Sequence, residues 1–370
     1  MVNKSVLLLG GTGTLSTAVL QLAMQKGFKI TIMNRGSNNK NVPKGVEVVI
    51  GDFKNVENMR SKFTNATFDV VVDFLSRVPD DIERVFPIFK DRCQQYIFIS
   101  SACVYRRAKG DFPIIESSPK PNKDWSYNIE KYESELKLQD LAKDAKSYYT
   151  IIRPYITYNE ERIPLGIAPS YRYHRTIIER IKAGKPWFVW DEGKAQTTVT
   201  YTEDFAVGIV GLFLNDRAYN NDFHITGDYS YTQMEVARLL FQKLNMPEKI
   251  VNIPSSVIGR ILPEYKQMLN GDRALDAVFD NSKIKEVVPE LTFRTDLSKG
   301  LDLIISHWGK STPLYDYIFE ARVDKMLNRV GVKSSYYEYA YSDKNSKKLY
   351  LIYKHLPIKV ANKLVRFLKK

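Results

Sequence analysis

The stretch Ser5–Ser16, SVLLLGGTGTLS, limits what this chain can fold into more than any other. Val6 to Leu9 make a short apolar run that stops at Gly10, Gly11 and Gly13, and a helical pattern follows from Leu15 to Lys26. A buried strand, a tight glycine turn and a helix in that order form a cradle for phosphate. Gly10 frees the chain to turn and Gly13 lets backbone approach a pyrophosphate, whose charge faces the open N–H groups and positive end of the helix. The turn therefore predicts a dinucleotide. In Gly10-x-x-Gly13-x-x-Ser16 a serine replaces the third glycine, so looser packing of helix on strand is expected there.

Further strands follow in series. Lys29–Met33 alternates as a second strand and runs into Asn34-Arg35-Gly36. An acid at this point would bond the adenosine ribose; its absence and the presence of Arg35 favour a 2′-phosphate, so the cofactor is NAD or NADP with a lean to NADP. Val46–Ile50, Asp69–Phe74, Gln95–Ser101 and Tyr149–Arg153 complete six apolar strands separated by helical stretches. Such continuous strands belong to a parallel sheet covered on both faces, so the fold expected is a doubly wound α/β Rossmann sheet with ligands at the carboxyl strand ends.

Chemistry is concentrated at those ends. Ser100 and Ser101 close the fifth strand, and Tyr127 and Lys131 open a helical pattern that runs to Ala142. Four residues apart, Tyr127 and Lys131 share a helix face, and an ammonium beside a phenol draws its pKa down from about 10 towards the range of a useful base. Ser101 can bond the same substrate oxygen. The same Tyr-x-x-x-Lys spacing recurs at Tyr105/Lys109 and Tyr350/Lys354, but only Tyr127 has a strand-end serine before it and the Arg153-Pro154 strand after it.

In these motifs the chain resembles the extended short-chain dehydrogenase/reductases, the NAD-dependent epimerases and dehydratases of nucleotide sugars. The resemblance covers about residues 4–308 through GGTGTLS, GDF at Gly51–Phe53, ISSACVY at Ile99–Tyr105, YNIEKYESE at Tyr127–Glu135 and RPYITY at Arg153–Tyr158. It implies Tyr127 as catalytic base, Lys131 as its tuner and a ligand of the nicotinamide ribose, and Ser101 as hydroxyl partner. It further implies cofactor contacts from the turn residues Gly10, Thr12, Gly13, Thr14 and Leu15, from Arg35, Asp52 and Phe53 around the adenosine, and from Phe74 and Pro154 at strand ends. Ala102 and Cys103 stand where the family's sugar dehydratases carry an Asp-Glu pair, which argues against water elimination. Gln196, Thr197 and Thr198 stand where its UDP-galactose epimerases carry a diphosphate-gripping arginine. Leu75-Ser76 replaces the glycyl-alanine segment that usually follows the family's fourth strand, and the NRG at Asn34–Gly36 resembles an atypical branch that includes reductases and a chloroplast RNA-binding group. The activity implied is nucleotide-sugar epimerisation through transient oxidation at a ring hydroxyl, C4 foremost. The alternatives are an NADPH-dependent 4-ketoreductase and, more distantly, an RNA-binding protein on the same fold. A homodimer through a helical face is the family's habit.

The expected division is a Rossmann domain over 1–159, rejoined by 191–227, and a smaller substrate domain over 160–190 and 228–308. Residues 309–370 form a basic extension. In the substrate domain Arg172, Arg175, Arg180 and Arg273 are candidate anion contacts, and Tyr173 and Trp187 candidate stacking partners for a base. Only two cysteines occur among 370 residues, and the four histidines are scattered without metal-ligand spacing, so a reducing cytoplasm and no metal are expected. The first strand begins at the N-terminus and no apolar run reaches membrane-span length, giving the expectation of an intracellular soluble protein.

The formal charge of +13 is uneven. Most of it lies beyond residue 330, which leaves the body only mildly basic and argues against nucleic acid as partner. From Ile358 to Lys370 the apolar residues Ile358, Val360, Ala361, Leu364, Val365, Phe367 and Leu368 fall on one half of a helical wheel and the cations on the other. Such a segment lies in an anionic membrane interface, at the inner face for a cytoplasmic protein, or packs its apolar half on its own body or on a second subunit.

Overall fold

The computed structural model describes residues 4–108, 111–310, 314–339 and 344–368. It divides into two compact units, one of residues 1–158, 198–229 and 277–294 and the other of 159–197, 230–276 and 295–370.

The first unit is built on β1 (Ser5–Leu9), β2 (Lys29–Asn34), β3 (Glu47–Ile50), β4 (Phe68–Asp73), β5 (Cys93–Ile99), β6 (Tyr148–Pro154) and β7 (Asn221–Ile225). They form one sheet in the order β7-β6-β5-β4-β1-β2-β3, and every pair is parallel. The chain starts in the middle, winds outward to β3, then returns across β1 to β4 and winds the other way. A crevice opens at that reversal, between the carboxyl ends of β1 and β4, and this is where such sheets bind ligands. The sheet has seven strands where the sequence indicates six: β7 begins with the polar pair Asn221-Asp222 and lacks an apolar run.

Both sheet faces are covered, as the unbroken apolar strands require. Val6, Leu8, Ile30, Val70 and Ile97 face one core with Val19, Phe205 and Ile209, whereas Leu7, Leu9, Val71 and Phe98 face the other with Ile82, Phe86, Phe89 and Leu138. The crossover helices include α1 (Thr14–Gln25), α2 (Val56–Lys62), α3 (Pro79–Phe89) and α4 (Ser126–Leu141).

Segment boundaries depart from the sequence-based division in three places. Residues 191–197, expected with the Rossmann domain, belong to the second unit. Residues 277–294 belong to the sheet-bearing unit: Phe279 bridges to Ile114, and His224 on β7 bonds the Asp280 carbonyl at 2.7 Å. Residues beyond 309 are no separate extension but part of the second unit, whose Arg180 and Lys185 make buried ion pairs with Glu320 and Asp324. Also within that unit, Ile250–Ile253 pairs in parallel with Trp187–Trp190. No described helix is long and apolar enough to cross a membrane.

Candidate active site

The glycine turn has the backbone its sequence demands. Gly10 and Gly11 take φ of +119° and +94°, and Gly10 N–H donates to the Met33 carbonyl at 2.9 Å, tying the turn to β2. A Cβ on Gly11 would lie 2.7 Å from Ile32 Cγ2, so this position excludes any side chain on steric as well as conformational grounds. Gly13, exposed, caps α1. Ser16 is buried, and its Oγ accepts from Gly13 N–H at 2.9 Å. The serine in place of the third glycine thus closes the turn rather than loosening it.

The other candidate cofactor residues of the first unit lie on the start of α1 and at the ends of strands. Thr12, Thr14 and Leu15 are half-buried at the start of α1. Asn34 ends β2 with its side chain engaged: Oδ1 accepts from Gly36 N–H at 2.7 Å and Nδ2 donates to Asn39. Arg35 beside it is exposed with no partner among the described residues. Asp52 is exposed and accepts from Lys54 N–H, while Phe53 is half-buried beside the core below β3. Phe74 follows β4, its N–H bonded to the Leu9 carbonyl, and Pro154 ends β6. These residues suit a dinucleotide: an open helix N-terminus, a turn without Cβ atoms at its crowded points and a free cation past β2.

Lys131 on α4 is buried and reaches through to the sheet, donating from Nζ to the Ser76 carbonyl at 2.7 Å and the Ile99 carbonyl at 2.9 Å. Burial pulls its pKa down to about 8, against the opposing pull of the Asp73 and Glu135 carboxylates. Tyr127 lies one turn earlier, half-buried, with the Trp125 ring at 4.8 Å between centroids and the Arg77 guanidinium 5.5 Å from its ring centre. Ser101 is buried at the end of β5, its Oγ accepting from Cys103 N–H at 3.2 Å as it starts a 3-10 turn. Ala102 and Cys103 fill that turn, buried, and bring no carboxylate to it.

Two buried networks that sequence reasoning did not single out lie beside Lys131 and the end of β5. Asp73 at the end of β4 accepts from the N–H groups of Leu75 and Ser76 at 2.9 Å each, from the Ser76 hydroxyl, and from Tyr96 OH at 2.7 Å. It thereby sets the loop whose carbonyl receives Lys131. On the other side Glu135 accepts from the Ser100 hydroxyl and from Arg153 Nε and Nη2 at 2.9 and 2.7 Å. Arg153 Nη1 donates to Tyr105 OH at 2.8 Å. The available signal was Glu135 four residues after Lys131, on one helix face. Tyr105 is spent in this network, and Lys109 lies outside the described residues. Tyr350 of the third Tyr/Lys pair is buried on Asp324 in the second unit.

Among the second unit's candidates, Arg180 is a correction: fully buried and bound to Glu320 and Asp324, it is a structural cation and not an anion contact. Arg175 is likewise engaged, by Glu179 and the Trp308 carbonyl. Trp187 is buried against Phe188 and Phe319, which excludes it as a stacking platform. Arg172 is exposed and lies over the Tyr173 ring. Arg273 pairs with its neighbour Asp272, and burial, with the Arg273 charge adding to it, draws Arg162 down to about 10. The apolar half of the Ile358–Leu368 helix divides: Ala361 and Val365 are buried with Tyr350 and Tyr353, whereas Val360, Leu364 and Phe367 are exposed. Lys369 and Lys370 lie outside the described residues.

The family model described as the NAD dependent epimerase/dehydratase family matches residues 6–225, more than half of the chain. The chain belongs to this family. Solved structures share the architecture. An epimerase from Methanothermobacter thermautotrophicus superposes with a TM-score of 0.68 at 15% identity over 83% of this chain and 92% of that one. The UDP-glucuronic acid 4-epimerase of Bacillus cereus, in complex with UDP-glucuronic acid and NAD, gives 0.67 at 15% identity over 83% and 99%. At such identities the likeness is one of fold. Among curated proteins, the chain is 23% identical to the Arabidopsis thaliana chloroplast stem-loop binding protein of 41 kDa b over 66% of itself and 64% of that protein. It is also 23% identical to a bifunctional UDP-glucose and UDP-xylose 4-epimerase of Pisum sativum over 31% of itself and 41% of that protein. The matched stretches thus span less than two thirds of either relative.

Proposed function

We propose that this family member is an NAD-dependent epimerase of a nucleotide sugar, with Tyr127, Lys131 and Ser101 as its proton-handling residues. The observation that carries the reading is Lys131, buried and bonded to two backbone carbonyls, with Tyr127 one helical turn before it. When bound, the nicotinamide supplies an acceptor and donor of hydride. Tyr127 takes the proton of the sugar hydroxyl as its carbon is oxidised and returns it when the opposite configuration forms, and the neighbouring ammonium of Lys131 favours the deprotonated tyrosine. Ser101 donates to the same oxygen and holds it in line. The absence of carboxylates at Ala102 and Cys103 leaves no acid–base pair in that turn for loss of water, which supports epimerisation over dehydration. The buried thiols of Cys93, pushed up to about 12 by burial, and Cys103 suit a reducing cytoplasm.

The test is to denature the freshly purified protein and identify what dinucleotide it releases, then to supply UDP-sugars and follow interconversion. Near-stoichiometric NAD and interconversion abolished by Tyr127→Phe are expected. An empty protein that takes up NADPH, drawn by Arg35, and reduces keto sugars without interconverting UDP-sugars refutes the epimerase in favour of a 4-ketoreductase. A second reading, binding of structured RNA, has the stem-loop binding relative in its favour. Salt-dependent RNA binding untouched by Tyr127→Phe, with no bound dinucleotide, is the result that favours it.

A further inference from the structure

The Ile358–Leu368 helix is held to the second unit by one narrow stripe. Ala361 is fully buried and Val365 nearly so, Ile358 packs beside them, and Tyr353 OH donates to Asn362 Oδ1 at 2.7 Å. These contacts fix the rotation of the helix about its axis. Turning away from the buried stripe past Asn362, the surface carries Lys359, Lys363 and Arg366, all exposed. Beyond them stands a second apolar stripe, Val360, Leu364 and Phe367, at i, i+4 and i+7. Phe367 is 76% exposed and Val360 50%.

Packing on the protein's own body therefore accounts for only half of the apolar surface. The rest is a fixed row of apolar side chains bordered by a row of cations. Residues 344–368 contain seven Lys or Arg and no Asp or Glu, so no acid within them neutralises that border. Nucleic acid would use the cations and leave the apolar row idle; an acidic protein surface without an apolar groove would do the same. An anionic bilayer uses both, with headgroups on the cations and acyl chains around Phe367, Leu364 and Val360.

We propose that this face is a membrane-docking surface, on which the protein rests against anionic lipid with the Ile358–Leu368 helix in the plane of the interface. The buried stripe acts as the hinge plate and the exposed stripe as the inserted edge. A single short helix of this kind gives reversible attachment whose strength falls with ionic strength. The surface stands independently of the catalytic reading.

The test uses the full-length protein sedimented with vesicles of phosphatidylcholine alone or mixed with phosphatidylglycerol. Binding to the anionic vesicles only, weakened by salt, is expected. Phe367→Asp and Leu364→Asp, both on exposed positions, should each weaken it by about tenfold, and each of Lys359→Gln, Lys363→Gln and Arg366→Gln by about fivefold. Unchanged circular dichroism and melting temperature would establish that these variants fold. Equal sedimentation with both vesicle types, or none, overturns the proposal. So does binding that Phe367→Asp leaves intact. A hairpin RNA that binds in preference to vesicles, sensitive to the three cation variants and indifferent to Phe367→Asp, overturns it in favour of nucleic acid.

Discussion

Lys131 Nζ lies 2.7 Å from the Ser76 carbonyl and 2.9 Å from that of Ile99, so one buried ammonium joins the loop after β4 to the end of β5. Strand ends that form the ligand crevice are thus coupled through the side chain proposed to tune the catalytic tyrosine. This coupling has a cost that pH reveals. Lys131 has its pKa drawn down to about 8 from 10.5, chiefly by burial. Between those values the unfolded chain holds a proton that the native protein does not, so native stability rises with pH across that window and the penalty is complete below about 8. Urea unfolding at a series of pH values should show the wild type gaining on Lys131→Met by at most about 1.4 kcal/mol per pH unit. Activity should run the other way, declining above pH 8 as the ammonium is lost, and Lys131→Met should be inactive throughout.

Asp73 governs the same loop from beneath. Its carboxylate, fully buried, receives four hydrogen bonds, two from backbone N–H groups and two from the hydroxyls of Ser76 and Tyr96. An amide in its place turns one accepting oxygen into a donor that faces donors. Asp73→Asn should therefore lower stability by about 2–3 kcal/mol. Because Ser76 presents its carbonyl to Lys131, the variant should also shift the alkaline limb of the pH–rate profile, which Tyr96→Phe, one hydrogen bond further away, should leave in place. A loss of stability with an unmoved profile would show Asp73 to be purely structural.

The sheet was legible because its strands are apolar on both faces and end at glycine, serine or Arg-Pro, signals that need no partner to be read. The seventh strand was not, because Asn221 and Asp222 make no apolar run and β7 owes its place to pairing with β6, a long-range fact. Tyr127, Lys131 and Ser101 stood out by spacing and by their position after strands. The networks around Lys131 did not: Asp73 and Tyr96, or Glu135 and Arg153, lie 23 and 18 residues apart and meet only once the strands are aligned. The same holds for Arg180, which sequence offers as a surface cation and the fold buries on carboxylates 140 and 144 residues away.

His174 should make the second unit acid-sensitive. Burial, with the nearby charge of Arg162, takes it from 6.5 down to about 3, and its Nδ1 accepts from Ile163 N–H at 2.8 Å. Below 6.5 the unfolded chain takes up a proton that the folded protein refuses, so stability falls with falling pH until about 3, by at most about 1.4 kcal/mol per unit. Thermal melts from pH 7 to 4 should show this slope, and His174→Gln, which keeps an acceptor for Ile163, should flatten it. An unchanged slope would place the acid sensitivity elsewhere.

The buried cluster of Arg180, Lys185, Glu320 and Asp324 ties the segment after residue 314 to the rest of its unit. Asp324 accepts from Arg180 at 2.6 Å, Lys185 at 2.7 Å, Ser334 Oγ at 2.6 Å and Tyr350 OH at 2.6 Å. Burial pushes its carboxyl up, but Arg180 and Lys185 more than offset this and hold it below the usual range. Asp324→Asn leaves two buried cations facing Glu320 alone, a loss of about 3–5 kcal/mol and a fall in melting temperature of about 10 °C. The native advantage of the wild type is present above about pH 4 and lost as pH falls through the lowered pKa, so the two proteins should converge in strong acid. Because Tyr339 and Tyr350 both bond into the cluster, the loss should open the segment around residues 330–339 first. Limited proteolysis of Asp324→Asn should cut there before the β1–β7 sheet is attacked. Simultaneous cleavage in both places would mean that the cluster stabilises the whole chain rather than this segment.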